Sequence, residues 1–554
     1  MLKNLLLVAL RNFKRDKWYS LLNILGLTIG ITFSLFLIFY IKDELSYDRY
    51  NKKADRIYRM VSYDKEPGKD MMKWAITPDP LGPELKNNFP EVEEAVRFNG
   101  NGKTMYRNGD LKLYEDKIFF CDSSVFKVFT YKFIAGDPNT ALVAPNSMVI
   151  TKSVADKFFG SKNAVGQSLQ NDNGDVYKIT GVVQDVPKNS HLIFNMLISM
   201  SSIPKNFMGN WGNFGIYTYV LLKPNVNKAA FEKKLAPLYG NFLAPLFARS
   251  NIKIDFKAQP LTSIHLHSDM DFEPEELGSI SYIYIFGAVA LFMLIIACIN
   301  YMNLTTARSA RRAKEIGIRK VTGSTQSQLV AQFLVESLLT ALVALVLSIV
   351  LIAILLPTFN LLAGKSISFH SLFEPSTFFI LLAIVLFVGL MGGSYPAFYL
   401  SRFNPIHILK GSLSKSSSNV NLRRSLVVVQ FTISMIMIIC TWVVYGQLKY
   451  LRNKDLGFNK QQVLSLAANA NNDISSKVLA FKNAVKENPH ILSASTSQSL
   501  PGQGMSMLLF SVETNKGYKD QGVDCYAVDE DYFKTLGMQI EKGRNFSGPS
   551  DTLR

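Results

Sequence analysis

The sequence predicts a polytopic α-helical membrane protein with five spans and extracytoplasmic α+β domains. Three observations predict it. Five stretches are long and apolar enough to cross a hydrocarbon core of roughly 30 Å, which takes about 20 residues. Short basic segments alternate with long, nearly neutral ones. The long segments carry mixed strand and helix signals.

The expected spans are residues 21–41, 281–305, 329–356, 376–400 and 425–446. The first, second, fourth and fifth contain no Asp, Glu, Lys or Arg, and the third carries Glu336 near its start. An acid at that depth reads as a structural or coupling group close to the interface, where water or a nearby arginine meets it. Pro396, near the end of the fourth span, marks a local kink or terminus. The first span follows a basic leader (Lys3, Arg11, Lys14, Arg15 and Lys17), as a secretory signal would. It exceeds a typical signal core and has no small-residue cleavage site after it, so it reads as an uncleaved span. The run Lys42-Asp43-Glu44-Leu45 that follows matches a retention signal only as letters, because such a signal must be C-terminal.

The chain carries a net charge of +17, and residues 1–20, 306–328 and 401–424 supply 14 of those charges. Residues 42–280 and 447–554 are each only +2. Short cytoplasmic loops collect lysine and arginine, so the basicity is topological and nucleic acid is excluded as a partner. The same rule places the N-terminus and residues 306–328 and 401–424 in the cytoplasm. Residues 42–280, the short loop 357–375 and residues 447–554 are then outside. Residues 2–19 read as an interfacial helix, with Leu2, Leu5, Leu6, Leu10 and Phe13 apolar and a basic side turned to lipid headgroups.

Residues 42–280 are long enough for a core of their own. Strands are expected at Ser147–Thr151, 177–183 and 217–222, and helices at Lys152–Phe159 and 228–243, the latter with Asn225 and Asn227 as candidate caps. An internal repeat follows. Asp122, Phe126, Lys127 and Gly136 recur as Asp529, Phe533, Lys534 and Gly543, at a constant offset of 407. Transporters are often built from duplicated halves. The second copy has 25 residues after Asp529 where the first has 159 before its next span. The sequence therefore reads as a fragment, with 447–554 an incomplete second domain of a chain of roughly 800 residues.

Several motifs carry no chemistry. Asn101-Gly102-Lys103-Thr104 ends like a phosphate-binding loop, but Arg97 stands where the pattern needs its first glycine. It reads as a turn, so the chain has no ATP site of its own. His265 and His267, with Asp269 and Asp271 nearby, read as a strand rather than a metal site. Of the four cysteines, Cys298 and Cys440 lie in spans, while Cys121 and Cys525 are isolated. No metal spacing, disulfide framework or catalytic triad stands out, and no cofactor is expected.

Residues 306–328 read as a short cytoplasmic helix, basic on one side and apolar on the other. The run from Ala307 through Lys314-Glu315-Ile316-Gly317-Ile318-Arg319-Lys320 to Gly323-Ser324, with Gln332-Phe333-Leu334-Val335-Glu336-Ser337 beyond it, resembles the coupling segment of FtsX-like permease domains. The stretches Gly181 to His191, Leu261 to His267 and Gly393 to Leu400 resemble large duplicated Bacteroidetes-like permeases with MacB-like periplasmic core domains. The resemblance covers essentially the whole chain and departs from the family where the second domain stops.

The resemblance implies the permease subunit of a MacB/FtsX-type ABC transporter in a bacterial inner membrane. Two separate ABC ATPase subunits would dock on Arg311, Arg312, Lys314, Glu315, Ile316, Gly317, Ile318, Arg319, Lys320 and Gly323. ATP-driven closure would then move the periplasmic domains, for export or efflux of a peptide, lipoprotein or hydrophobic compound. A periplasmic adaptor and an outer-membrane channel are further partners of this class, besides the membrane lipids. The alternative is an FtsX-like transmitter that activates a cell-wall hydrolase. Such transmitters resemble four-span proteins with a smaller outer domain and no duplication, which the 42–280 segment and the repeat disfavour. A membrane receptor that needs no ATPase is the third reading.

Overall fold

Hydrocarbon gives a backbone amide no partner, so an apolar stretch must close its hydrogen bonds within itself as a helix. The computed structural model of the chain describes residues 17–65, 71–248, 252–307, 317–401, 417–466, 472–502, 506–514 and 517–546. Five helices there are long and apolar enough to cross a membrane. They are Lys17–Leu45, Ile280–Ala307, Gln326–Ala363, Pro375–Ser401 and Ser417–Asn453, hereafter the first to fifth helices. The interfacial helix expected over 2–19 lies, up to residue 16, outside the described residues. The third helix passes the expected end at residue 356 and runs through Pro357 to Ala363. Proline removes one N–H from the ladder, and the remaining bonds carry the helix to Gly364, whose φ of +64° ends it.

The chain forms two compact units. One is helical and comprises the first helix with Ser279–Asn453; the other is strand-rich and comprises Ser46–Gly278 with the residues from Lys454 on.

In the helical unit, small residues set the spacing. A Cβ on Gly30 would lie 2.7 Å from Ala297 Cβ, and one on Gly389 would lie 2.5 Å from Leu338 Cδ2. Lipid supplies no hydrophobic drive between helices, so close backbone approach and interhelical hydrogen bonds hold them. Ser34 Oγ donates to Ala290 O at 3.0 Å, and Ser348 Oγ donates to Thr28 O at 3.0 Å. Phe36 stacks on Phe359 with centroids 4.6 Å apart. The apolar stretch of the fifth helix buries none of its residues within the chain.

The strand unit holds a 14-stranded mixed sheet and, separately, the antiparallel pair Ser506–Thr514 with Gly517–Cys525. The strands of the large sheet are β1 (Ile57–Lys65), β2 (Met72–Trp74), β3 (Thr77–Pro78), β4 (Val92–Gly100), β5 (Thr104–Asn108), β6 (Leu111–Glu115) and β7 (Ile118–Cys121). They continue as β8 (Phe133–Gly136), β9 (Ser147–Thr151), β10 (Ser168–Asn171), β11 (Val176–Val183), β12 (Met196–Ser199), β13 (Phe214–Leu222) and β14 (Lys253–Pro260). The order is β14-β1-β13-β4-β7-β12-β9-β11-β10-β5-β6. The β7–β12 and β9–β11 pairs are parallel. All five residues of β9 are buried, as a strand covered on both faces requires. The helix Lys152–Phe159 buries Val154, Ala155, Phe158 and Phe159 and stops at Gly160, φ +60°.

Two expectations need correction. The helix expected over 228–243 is interrupted: it is α-helical at Lys228–Lys233, turns at 234–236, and resumes at Pro237 into a π turn at Tyr239–Leu243. Pro237 has no N–H to give the ladder and its ring would crowd the carbonyl four residues back, so it starts the resumed turn instead of continuing the first helix. Asn227 caps the helix by accepting from Ala230 N, whereas Asn225 sits at φ +64°. His265 and His267 are not on a strand. β14 ends at Pro260, a turn at Leu261–Ser263 follows, and both histidines fall in the helical turn Ile264–His267.

The repeat is visible in its contacts. Asp122 N–H donates to Arg97 O, and Asp122 Oδ2 accepts from Arg97 N at 2.9 Å. Asp529 N–H donates to Thr496 O, and Asp529 Oδ2 accepts from Thr496 N at 2.9 Å. A cation completes each: the Arg97 guanidinium on Asp122, and Lys482 Nζ on Asp529 at 2.8 Å. A four-residue helix follows each aspartate, Val125–Val128 and Tyr532–Thr535. Gly136 and Gly543 close the copies at φ +94° and +92°.

Lys482 and Lys486 also hydrogen-bond Asp531 and hold its carboxyl down at about 2. A depressed carboxylate stabilises the fold above its unfolded pKa, and that stability is lost as pH falls through the folded value. Thermal unfolding of the chain should therefore lose about 1 kcal/mol between about pH 4 and pH 2, a figure reduced for solvent screening. Asp531→Asn should flatten that slope, and an unchanged slope would refute the assignment.

Candidate functional site

The candidate site is the turn that leads into the third helix. Arg311, Arg312, Lys314, Glu315 and Ile316 lie outside the described residues. Residues 317–321 are helical, and Gly317 is buried. This helix ends in a Schellman motif: Ser324 N–H donates to Arg319 O at 2.9 Å and Gly323 N–H to Lys320 O at 3.1 Å. Gly323 takes φ +100°, which a side chain would resist. Thr325 then caps the third helix in a reciprocal box. Its Oγ1 accepts from Gln328 N, and its N–H donates to Gln328 Oε1 at 3.1 Å. A stop and a start thus fall within Gly323–Thr325, and the junction has no slack. Arg319 Nη1 donates to Gln332 Oε1 at 2.6 Å and ties the short helix to the long one. Ile318 and Val321 are 58% and 66% exposed, so an apolar surface is presented beside the charges.

The junction continues into the bundle. Leu329 and Phe333 pack with Ala397 of the fourth helix. Ser337 Oγ meets Tyr301 Oη at 3.0 Å, and a Cβ on Gly393 would lie 2.6 Å from that Oγ. Glu336 is half-buried beside these groups on the same helix. Second, third and fourth helices therefore meet at one polar point, a short distance along the helix from the coupling turn.

The strand unit has a second constellation, which sequence reasoning missed. Asp48 takes φ +61° just after the first helix, and its N–H donates to Asn189 O at 2.9 Å. His191 Nδ1 lies 2.9 Å from Asp48 Oδ1, and His191 Nε2 meets Tyr219 Oη at 2.8 Å. Tyr219 stands opposite Arg59 in the β1–β13 register. Arg59 is fully buried, and its guanidinium grips both Glu273 carboxylate oxygens at 2.5 and 2.6 Å. Burial is the largest single influence and opposes the Arg59 charge, but the Glu273 hydrogen bond, together with the charge of Glu273 and the neighbouring Tyr219 and Tyr217, outweighs it and raises the pKa. Burial also pushes the Tyr50 hydroxyl up to about 12. The rings of Tyr47 and His265 stack at 3.4 Å. This polar chain joins the segment after the first helix to the segment before the second. His191 closes the Gly181 motif, the only sequence signal for it; partners so far apart along the chain leave none.

Fold and site together define a polytopic membrane protein with an α+β domain between its first two spans. Residues 20–238 match the MacB-like periplasmic core domain, and residues 287–405 match the FtsX-like permease C-terminal domain. A macrolide export ATP-binding/permease protein MacB of Agrobacterium fabrum is 31% identical over 123 residues, 22% of this chain and 18% of that protein. The protein of the same name from Salmonella choleraesuis is 26% identical over 417 residues, 71% of this chain and 58% of that one. The periplasmic region of MacB from Actinobacillus actinomycetemcomitans aligns at 16% identity over 37% of this chain and 90% of that structure, with a TM-score of 0.27. The chain belongs to the MacB/FtsX-type ABC permeases, and its α+β domain is periplasmic. It spans between about a fifth and three fifths of the length of these curated relatives.

Two substitutions test the arrangement. Glu273→Ala leaves Arg59 buried without its counter-charge and should cost about 3–5 kcal/mol in unfolding experiments. Gly323→Ala forces a side chain into the left-handed region and should cost about 1–2 kcal/mol, read as faster hydrogen exchange at the coupling turn.

Proposed function

We propose that this chain is the membrane subunit of a MacB/FtsX-type ABC transporter of a bacterial inner membrane, with its N-terminus in the cytoplasm. Two copies of a separate ABC ATPase dock on the coupling segment. Arg311, Arg312, Lys314, Glu315, Arg319 and Lys320 set orientation by charge, while Ile316 and Ile318 enter an apolar groove. Gly317 and Gly323 allow the close approach and the sharp stop. The observation that carries this reading is the slack-free junction at Gly323–Thr325, with Ile318 exposed and Arg319 tied to Gln332. A push on such a helix passes into the third helix instead of dissipating in a loop.

Motion then reaches the periplasmic domain, which drives export of a peptide, lipoprotein or hydrophobic compound. The named relatives are ATP-binding/permease proteins.

A mild-detergent pull-down from native membranes should bring down a stoichiometric ABC ATPase. Glu315→Lys with Arg319→Glu should abolish both that association and ATPase stimulation, with normal membrane insertion. A folded, monodisperse chain that brings down no ATPase would reject the reading and favour a receptor. An ATPase recovered together with a cell-wall hydrolase would favour the signal transmitter.

A further inference from the structure

The charged run that ends the first helix finds its partners in the segment between the third and fourth helices. Lys42 Nζ donates to Glu374 Oε2 at 2.6 Å and to Thr377 Oγ1 at 2.8 Å. Lys365 Nζ lies 2.8 Å from Asp43 Oδ2, bonds Glu44 Oε1, and sits 5.1 Å from the centre of the Tyr40 ring. Glu44 is only 5% exposed, and the Lys365 side chain 11%.

Both partners are held stiffly. Gly364 ends the third helix in the left-handed region, and Lys365 N–H donates to Asn360 O at 3.0 Å. The Asn360 side chain then clasps Ile367, donating to its carbonyl at 2.9 Å and accepting from its N–H at 3.1 Å. Glu374 immediately precedes the fourth helix, and its carbonyl accepts from Thr377 N and Phe378 N. Thr377 Oγ1 donates back to Ser371 O at 2.7 Å. These are fixed charges on a closed turn, not long side chains reaching across a loose one.

Burying such charges is costly, and an apolar contact of the same volume would hold as well or better. What charges add is register. A slide of the first helix by one turn, about 5.4 Å, would bring Ile38, Phe39 and Tyr40 against Lys365 and Glu374. Lys365, whose side chain is 11% exposed, would then be buried without a counter-charge, and Glu374, 48% exposed, would give up its lysine for water. Crossed pairing would face Lys42 with Lys365 and the two acids with Glu374. One alignment alone satisfies all five groups. It is the alignment in which Ser348 bonds Thr28 and Phe36 stacks on Phe359 lower in the same interface.

We propose that Lys42, Asp43, Glu44, Lys365 and Glu374 form an ionic latch that fixes the first helix in one register against the third–fourth hairpin, so that these three helices move as one body. The latch belongs to the helical unit and stands whether or not the chain docks an ATPase.

Hydrogen exchange of the full chain in lipid nanodiscs tests it. Glu374→Lys sets two lysines face to face, and exchange in peptides covering 39–45 and 361–375 should speed on the order of tenfold. The swapped pair, Lys42→Glu with Glu374→Lys, should return exchange to the native rate. Glu374→Gln removes charge without adding repulsion; it should give a smaller rise, and it serves if the reversal fails to fold. Native exchange in both Glu374 variants would overturn the latch. So would a swapped pair that exchanges as fast as the single reversal.

Discussion

A backbone amide in hydrocarbon has nothing to bond except its own helix, and the helical unit follows from that constraint. Once the amides are satisfied internally, helices are rods that attract each other only by contact. Glycine at positions 30, 389 and 393 brings backbones within contact, where a serine hydroxyl can reach a neighbour's carbonyl. Side-chain hydroxyls and close approach thus replace the hydrophobic drive that a water-soluble bundle would use.

The strand unit solves a different problem. It has water on its outside and a conventional apolar core, with Phe98, Tyr219, Val149 and Leu197 among the buried groups. Its unusual feature is charge inside that core. Arg59 and Asp48 belong to no catalytic arrangement that their neighbours complete. They sit instead where the chain arrives from one helix and leaves for the next. A buried ion pair adds little net stability but strongly disfavours any packing that separates its partners. Within the strand unit, that fixes the segment around Asp48 and the segment around Glu273 against the sheet.

The coupling turn shows how local chemistry produces mechanics. Glycine in the left-handed region stops one helix, and a threonine box starts the next two residues later. Each motif is ordinary, and their adjacency removes the loop that would otherwise absorb a displacement. The Gly323 signal was legible because such a conformation leaves glycine the favoured residue. The role of Gln332 was not, since an uncharged side chain on an apolar helix has many available partners.

Sequence alone determined the number of spans, because length and absence of charge are local properties that lipid reads directly. It also determined β9 and the helix behind it, where burial on both faces and a following glycine leave one local solution. The internal repeat was visible as well, since equal offsets survive without contacts. Tertiary structure decided the rest. It broke the helix after Lys233, carried the third helix through Pro357, and turned His265 and His267 out of a strand. It also brought Asp48 to His191, Arg59 to Glu273 and Lys365 to Asp43 and Glu44. These pairs are separated by more than a hundred residues, and a lone charge in a sequence carries no record of its partner. Only the packed chain, in which a buried charge must be matched, selects one.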